Sequence, residues 1–330
     1  MARSLRVSEA VQNTDLTGKK YVVTGGTSGA GQGTVEFLAK RGAEVVTSGR
    51  NIQRGERNFS SLSPEVRSRI TLLKMDLCNM DDVETFASHI NQKWEKLDGL
   101  VNNAGGALLT KSPSAFLERN DKKYCSQFIG NHIGPFHLTN LLLPLLEKTD
   151  GARIINLSSV MHDQAKGMQS SRAVVDFDDI HCRVKKFDGF EAYAQSKLAN
   201  LLHAKSLARK YAVDQIAIFP VHPGTVAKGS NFGREFSPLM QIIMKPMFLL
   251  MGPMMRPIPL DDGAQTTLHC LLSNDALEHH GMYHAQTGIK HSDGVRGGWP
   301  YRSANPLSHD ESVQDRLWQI SEQLVTEMKV

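Results

Sequence analysis

Tyr193 and Lys197 stand four residues apart in Tyr193-Ala-Gln-Ser-Lys197, early in a helical pattern over 190–211. That spacing puts both side chains on one helix face. A phenol is a poor acid or base near neutrality because its pKa is about 10. An ammonium about 4 Å away, at an effective dielectric of 20, is worth about 4 kcal/mol, enough to lower that pKa by roughly three units. The pair is therefore predicted to give and take a proton at a substrate oxygen. The same spacing also occurs on ordinary helix faces, so the neighbouring motifs decide its meaning.

The second chemical motif is Thr24-Gly25-Gly26-Thr27-Ser28-Gly29-Ala30-Gly31. A backbone approaches a pyrophosphate closely where side chains are absent, and a helix N-terminus supplies free N–H groups and positive potential. Gly25, Thr27, Ser28, Gly29 and Gly31 are the candidate contacts, and Gly33 lets the helix lie close to a sheet. An acid about 20 residues further on would hold an adenosine ribose. This chain has Ser48-Gly49-Arg50-Asn51 there instead. With no carboxylate and with Arg50 able to pair a 2′-phosphate, the expected cofactor is NADP(H); the alternative is that Arg50 is a solvated surface residue. Asp76 and Leu77, after a third apolar run, are placed to meet the adenine, with Asp76 accepting from its amino group.

These motifs need elements to carry them. Short apolar runs at 21–24, 44–47, 70–73, 99–101, 153–157 and 215–219 are rich in Val, Ile and Leu and do not alternate. They predict strands of a parallel sheet buried on both faces. Helical patterns at 31–41, 80–94, 127–146 and 190–211 separate them. The expected class is α/β, one Rossmann-type domain with a doubly wound parallel sheet and helices on both faces. Residues 18–226 form the expected cofactor-binding and catalytic core, 227–260 a lid over the substrate, and 261–330 a helix, a strand and a tail ending in a helix at 311–325.

Composition excludes several classes. The chain has 330 residues, 40% hydrophobic and 22% charged, enough for a substantial core. Its 38 basic and 34 acidic residues are interspersed, net +4, so nucleic acid is not an expected partner. Four cysteines without a CxxC pair argue against a zinc ribbon or disulfide framework and for a reducing compartment. The most apolar run, 247–255, is broken by Gly252 and Pro253, too short to span a membrane. With no apolar leader at the N-terminus, a cytoplasmic location is expected.

The motifs together resemble the classical short-chain dehydrogenase/reductases. They are Thr-Gly-Gly-Thr-Ser-Gly-Ala-Gly at 24–31, Asn-Asn-Ala-Gly at 102–105, Asn131 in Gly-Asn-His-Ile-Gly-Pro-Phe, Asn-Leu-Ser-Ser at 156–159, Tyr-Ala-Gln-Ser-Lys at 193–197 and His-Pro-Gly-Thr-Val at 222–226. Six motifs in order cover 20–226. The stretches around 131–144, 153–160 and 193–202, with the tail at 316–325, are similar to the retinol-dehydrogenase-like branch, which includes WW-domain oxidoreductases and protochlorophyllide reductases.

The resemblance implies roles. Tyr193 is implied as general acid/base and Lys197 as the residue that binds the nicotinamide ribose and lowers the tyrosine pKa. Ser159 is implied to polarise the substrate carbonyl, with Ser158 as the alternative, and Asn131 to hold a water in the proton relay. Asn103, Ala104 and Gly105 would line the adenosine side; Pro223, Gly224 and Val226 would flank the nicotinamide. The implied activity is NADP(H)-dependent oxidoreduction of a carbonyl or alcohol on a bulky hydrophobic substrate. A double-bond reductase or a non-catalytic scaffold on the same fold are the alternatives, and a homodimer is allowed.

The chain also departs from the family pattern. Ala30 stands where a bulkier Ile or Leu is usual, and Ala227-Lys228 stands where a threonine is common. Ser159 and Tyr193 are 34 residues apart, longer than typical, and the extra stretch around 164–172 is expected at the substrate entrance. The membrane anchor of many retinoid enzymes is not expected. Methionines 240, 244, 247, 251, 254 and 255 suit a flexible apolar pocket wall or plain core. His280 and His284 have helical i, i+4 spacing, but 281–284 is expected as a late strand, which separates them, so no metal site is expected.

Overall fold

A computed structural model describes residues 4–108, 113–163, 173–226 and 258–329. The strands are β1 (Lys20–Val23), β2 (Glu44–Gly49), β3 (Ile70–Lys74), β4 (Gly99–Asn102), β5 (Phe116–Arg119), β6 (Lys122–Cys125), β7 (Ala152–Leu157), β8 (Ile216–His222), β9 (Tyr283–Ala285) and β10 (Gly298–Tyr301). Eight of them form one sheet in the order β10-β9-β8-β7-β4-β1-β2-β3. Neighbours from β9 to β3 run parallel, and only the edge strand β10 is antiparallel.

The helices are α1 (Glu9–Gln12), α2 (Gly29–Lys40), α3 (Ile52–Phe59), α4 (Pro64–Ser68), α5 (Met80–Lys93), α6 (Ser126–Phe128), α7 (Gly134–Leu146), α8 (Gly189–Lys210), α9 (Leu260–Gly263), α10 (Gln265–Leu272) and α11 (Glu311–Lys329). They cover both faces, because successive strand residues point to opposite sides. Val23, Val45, Val101, Ile155 and Phe219 pack with Leu38 of α2 and Leu268 of α10. Val22, Val46, Leu100, Ile154 and Ile218 pack on the other side with Phe86 and Ile90 of α5 and Leu142 of α7. The Val/Ile/Leu-rich runs thus bury both faces, and the sheet is doubly wound as expected.

Several expectations are corrected. The run at 70–73 is expected to be buried, but β3 is the sheet edge and its residues are half-buried or exposed. The single helix expected over 127–146 is three pieces: α6, one π-helical turn over Ile129–Ile133, and α7. Pro135 in the first turn of α7 lacks the N–H that would continue an uninterrupted helical ladder. The helix expected at the start of 261–330 divides into α9 and α10. The β5–β6 hairpin and β10 were not anticipated.

The late strand at 281–284 is β9. His280 accepts from the Ile218 amide at 3.1 Å through Nδ1, while His284 Nδ1 lies 2.9 Å from Met282 O. The two histidines therefore serve separate backbone contacts. The expected substrate-entrance stretch at 164–172 and the lid, apart from 258–260, lie outside the described residues. Among the described residues, no helix is long and apolar enough to cross a membrane.

Candidate active site

Six of the candidate motifs follow the carboxyl ends of parallel strands, the edge at which open α/β sheets bind ligands. The glycine turn follows β1, Arg50 follows β2, Asp76 follows β3, 103–105 follow β4, Ser158 and Ser159 follow β7, and 223–226 follow β8.

The glycine turn is fixed by backbone fit and by Thr24. Thr24 Oγ1 accepts from the amides of Asn103 at 3.0 Å and Ala104 at 2.9 Å. Asn103 Nδ2 in turn donates to Thr24 O at 2.7 Å. Gly25 has φ +66°, and a Cβ there would stand 2.9 Å from Ala104. A Cβ on Gly31 would stand 2.3 Å from Asn103 Nδ2, so these two glycines allow the β1 and β4 ends to interlock. Ser28 caps α2 with no side-chain hydrogen bond to its first turn. The amides there thus receive no acceptor from the cap side chain, which fits a phosphate-binding turn.

Arg50 is exposed at the end of β2. Asp76 Oδ1 accepts from the Cys78 amide at 3.0 Å, holding the carboxylate over its own turn beside buried Leu77. Burial pushes the Cys78 thiol up to about 12; Asp76 adds to the rise and Arg50 opposes it, which sets both charges around one thiol.

The candidate proton-handling groups lie where β4, β7 and α8 converge. Tyr193 is half-buried in the first turns of α8, which Asp188 caps by accepting from the amides of Phe190 and Glu191. Ser158 and Ser159 point differently. Ser158 Oγ donates to Lys197 O at 2.7 Å, tying β7 to α8. Ser159 eases the ionisation of the Tyr193 phenol and accepts from the Met161 amide at 3.2 Å. Of the two, Ser159 is therefore the one facing the phenol.

Lys197 is buried, and its Nζ donates to Leu157 O at 3.1 Å and lies 5.7 Å from the centre of the Tyr193 ring. Burial pulls this lysine down to about 8. Burial raises Tyr193 above its ordinary value, and the Ser159 hydrogen bond only partly opposes that. The expected lowering of the phenol by Lys197 is thus not the balance found here. Desolvation penalises the phenolate and the ammonium alike.

Asn131 lies in the π-helical turn, a local widening often found at functional sites. Its Nδ2 donates to Gly106 O at 2.9 Å and to Ser196 Oγ at 3.0 Å, and its Oδ1 accepts from the Gly106 amide at 3.0 Å. A Cβ on Gly105 would stand 2.9 Å from Lys197 Nζ and 3.2 Å from Asn131 Oδ1. Asn131, Gly105, Lys197, Ser159 and Tyr193 therefore lie close together.

At the remaining side, Gly224 has φ +87° and a Cβ there would stand 2.6 Å from Ile258 Cδ1. Val226 bridges Ile258, and a Cβ on Gly263 of α9 would stand 2.6 Å from Val226 Cγ2 and 3.5 Å from Ala30 Cβ. The small Ala30 thus lies where α9 and Val226 press on the glycine turn. Gln286 braces this corner by pairing both backbone groups of Leu5, at 2.7 and 2.6 Å.

Sequence reasoning missed the supports. Thr24, Ser196 and Gly106 are named by the geometry alone; the signal for Thr24 is a hydroxyl at a strand end beside glycines. It also missed a buried chain behind the site, in which Asn102 Nδ2 donates to Thr139 Oγ1 and Asn156 Oδ1, both at 2.8 Å.

Residues 19–171 match the short chain dehydrogenase family. The chain is 30% identical to mouse (Mus musculus) retinol dehydrogenase 12 over 314 residues, covering 95% of this chain and 88% of that protein. The chain belongs to the short-chain dehydrogenase family. Human (Homo sapiens) retinol dehydrogenase 13 is 29% identical over 315 residues, 94% of this chain and 85% of that one, which places the chain on the retinol-dehydrogenase-like branch. An uncharacterized protein from Mycobacterium paratuberculosis superposes with a TM-score of 0.68 at 26% identity, covering 96% of this chain and 97% of its own. As a short-chain dehydrogenase the chain is an oxidoreductase that uses a nicotinamide cofactor.

Proposed function

We propose that this short-chain dehydrogenase is an NADP(H)-dependent enzyme that interconverts a carbonyl and an alcohol on a bulky hydrophobic substrate. The observation that carries the reading is the convergence of Tyr193, Ser159, Lys197 and Asn131 at the strand ends next to the glycine turn. The nicotinamide supplies or takes the hydride when bound. The chain's own residues handle the proton and the positioning. Ser159 Oγ donates a hydrogen bond to the substrate oxygen and polarises it. Tyr193 gives its phenolic proton to that oxygen in reduction and takes it back in oxidation. Lys197 holds the nicotinamide ribose and resupplies the proton, and Asn131 keeps a water within reach of Lys197.

Gly25, Thr27, Ser28, Gly29 and Gly31 would hold the pyrophosphate, Asn103, Ala104 and Gly105 the adenosine side, Asp76 and Leu77 the adenine, and Pro223, Gly224 and Val226 the nicotinamide. Exposed Arg50 would pair the 2′-phosphate, and no acid stands in its place to prefer a free ribose. The relatives' names support an apolar alcohol or aldehyde, since retinol is one. Titration with NADPH and NADH tests the cofactor. Tighter NADPH binding that Arg50→Ala weakens far more than NADH binding is expected; equal or tighter NADH binding would remove the NADP(H) reading.

A further inference from the structure

The turn after β7 is fastened by its own next residues. Ser159 is extended, at φ −155° and ψ 157°. Its Oγ accepts from the Met161 amide at 3.2 Å. Its carbonyl oxygen accepts from the His162 amide at 3.0 Å and lies 2.5 Å from the imidazole Nδ1 of that same residue. A carbonyl oxygen only accepts, so Nδ1 carries the ring proton and Nε2 is left as the acceptor. Ser303 Oγ lies 2.8 Å from Nε2 and supplies the matching donor.

Ser303 lies after β10, 141 residues further along the chain than His162. Its Oγ also accepts from the Asn305 amide at 3.2 Å. Asn305 Nδ2 donates to His162 O at 2.7 Å and to Ala173 O at 3.0 Å. Residues 303–305 therefore hold both the ring and the backbone of His162. The ring stands edge-on to Tyr283 of β9, with centroids 4.7 Å apart and planes at 77°. His162 is fully buried, and burial pulls its imidazole down to about 4, so the ring is neutral near pH 7. Both ring nitrogens are engaged, and neither is left to act on a substrate.

We infer that His162 is a positioning residue for Ser159: its Nδ1–H, oriented by Ser303, fixes the Ser159 carbonyl and through it the direction of the hydroxyl that polarises the substrate oxygen. The inference rests on the role given to Ser159 above. The direction of Oγ follows from the Ser159 backbone and its χ1. The Met161 amide holds χ1, and the two bonds to the carbonyl hold ψ. Without the imidazole bond one N–H remains on that carbonyl, and the peptide plane can turn and carry Oγ with it. A reacting constellation must be held within about 0.5 Å of its productive geometry. Residues 303–305 are thereby part of the active-site support.

Two variants separate positioning from packing. His162→Asn puts an amide N–H near the place of Nδ1 and keeps the bond to Ser159 O. His162→Gln puts its amide near the place of Nε2, facing Ser303, and loses that bond. Melting temperature and NADPH affinity report whether each is folded. Turnover of the carbonyl that the wild type reduces should fall at least about tenfold in His162→Gln, with KM and NADPH affinity within about twofold of the wild type, and should stay within about threefold of the wild type in His162→Asn. Wild-type turnover in His162→Gln, or equal losses in the two variants, would overturn the inference. Ser159→Ala is measured beside them. If it keeps wild-type turnover, the role of Ser159 falls and the inference with it. If it loses turnover while His162→Gln does not, the inference alone falls. The unaltered protein gives a check that needs neither His162 variant. The ring ¹⁵N signals of His162, identified as those that Ser303→Ala moves, should show the proton on Nδ1 at pH 7. A proton on Nε2 would overturn the inference.

Discussion

Asn131 and Gly106 pair as two backbone amides would: Nδ2 donates to Gly106 O at 2.9 Å, and Oδ1 accepts from the Gly106 amide at 3.0 Å. The side chain thus acts as a strand partner for the loop after β4. Asn131→Ala leaves both Gly106 groups and Ser196 Oγ without that partner. Loss of these bonds, two part-buried and one buried, is expected to cost about 1–3 kcal/mol in urea unfolding and to reduce turnover. Asn131→Asp keeps the oxygen but cannot donate to Gly106 O, and it should fall in stability as well. Wild-type stability in both variants would show that the loop is held elsewhere.

Gly105 makes room for a charge. A Cβ there would stand 2.9 Å from Lys197 Nζ and 3.2 Å from Asn131 Oδ1. Gly105→Ala must move the ammonium, the flexible end of its side chain, so the fold should survive. The expected result is a melting temperature near that of the wild type with turnover reduced at least about tenfold, a barrier change of about 1.4 kcal/mol. Unchanged turnover would mean that the Lys197 position does not matter to the rate.

Lys197 gives the stability curve a sign. Burial holds its folded-state pKa at about 8, against about 10.4 in an unfolded chain. Between about pH 8 and about pH 10 the unfolded chain holds more protons, so this residue's contribution makes stability rise with pH. Below about pH 8 its penalty is complete, at roughly 3 kcal/mol. Lys197→Met removes the titrating group. Urea unfolding across that window, without added nucleotide, should give a wild-type curve that rises more steeply with pH than the variant's; parallel curves would refute the assignment.

The sheet and its motifs were legible because a parallel sheet buried on both faces leaves unbroken apolar runs, as at 153–157, and because the glycine turn sits between such a run and a helix. The state of the tyrosine was not legible. Spacing put Lys197 on the Tyr193 face, but the ring–ammonium separation of 5.7 Å and the burial of both depend on how α8 lies against β7. The π-helical turn was hidden for a similar reason: the composition of 127–146 is helical throughout, and the close packing of Gly134 on Leu77 O, 2.2 Å from where a Cβ would stand, is a tertiary contact. β5 and β6 escaped notice because 116–125 is polar and charged, with no apolar run to mark it.

Replacement of Tyr193 by phenylalanine tests the account most directly. The measurement pairs NADPH binding with single-turnover reduction of whichever hydrophobic carbonyl the wild type consumes in a screen of aromatic ketones, steroids, retinoids and lipid aldehydes. Tyr193→Phe removes only the phenolic oxygen and its proton. NADPH affinity should stay near that of the wild type while the turnover rate falls at least about 10²-fold. A variant that reduces the same carbonyl at close to the wild-type rate would contradict the central claim, because the proton would then come from another group.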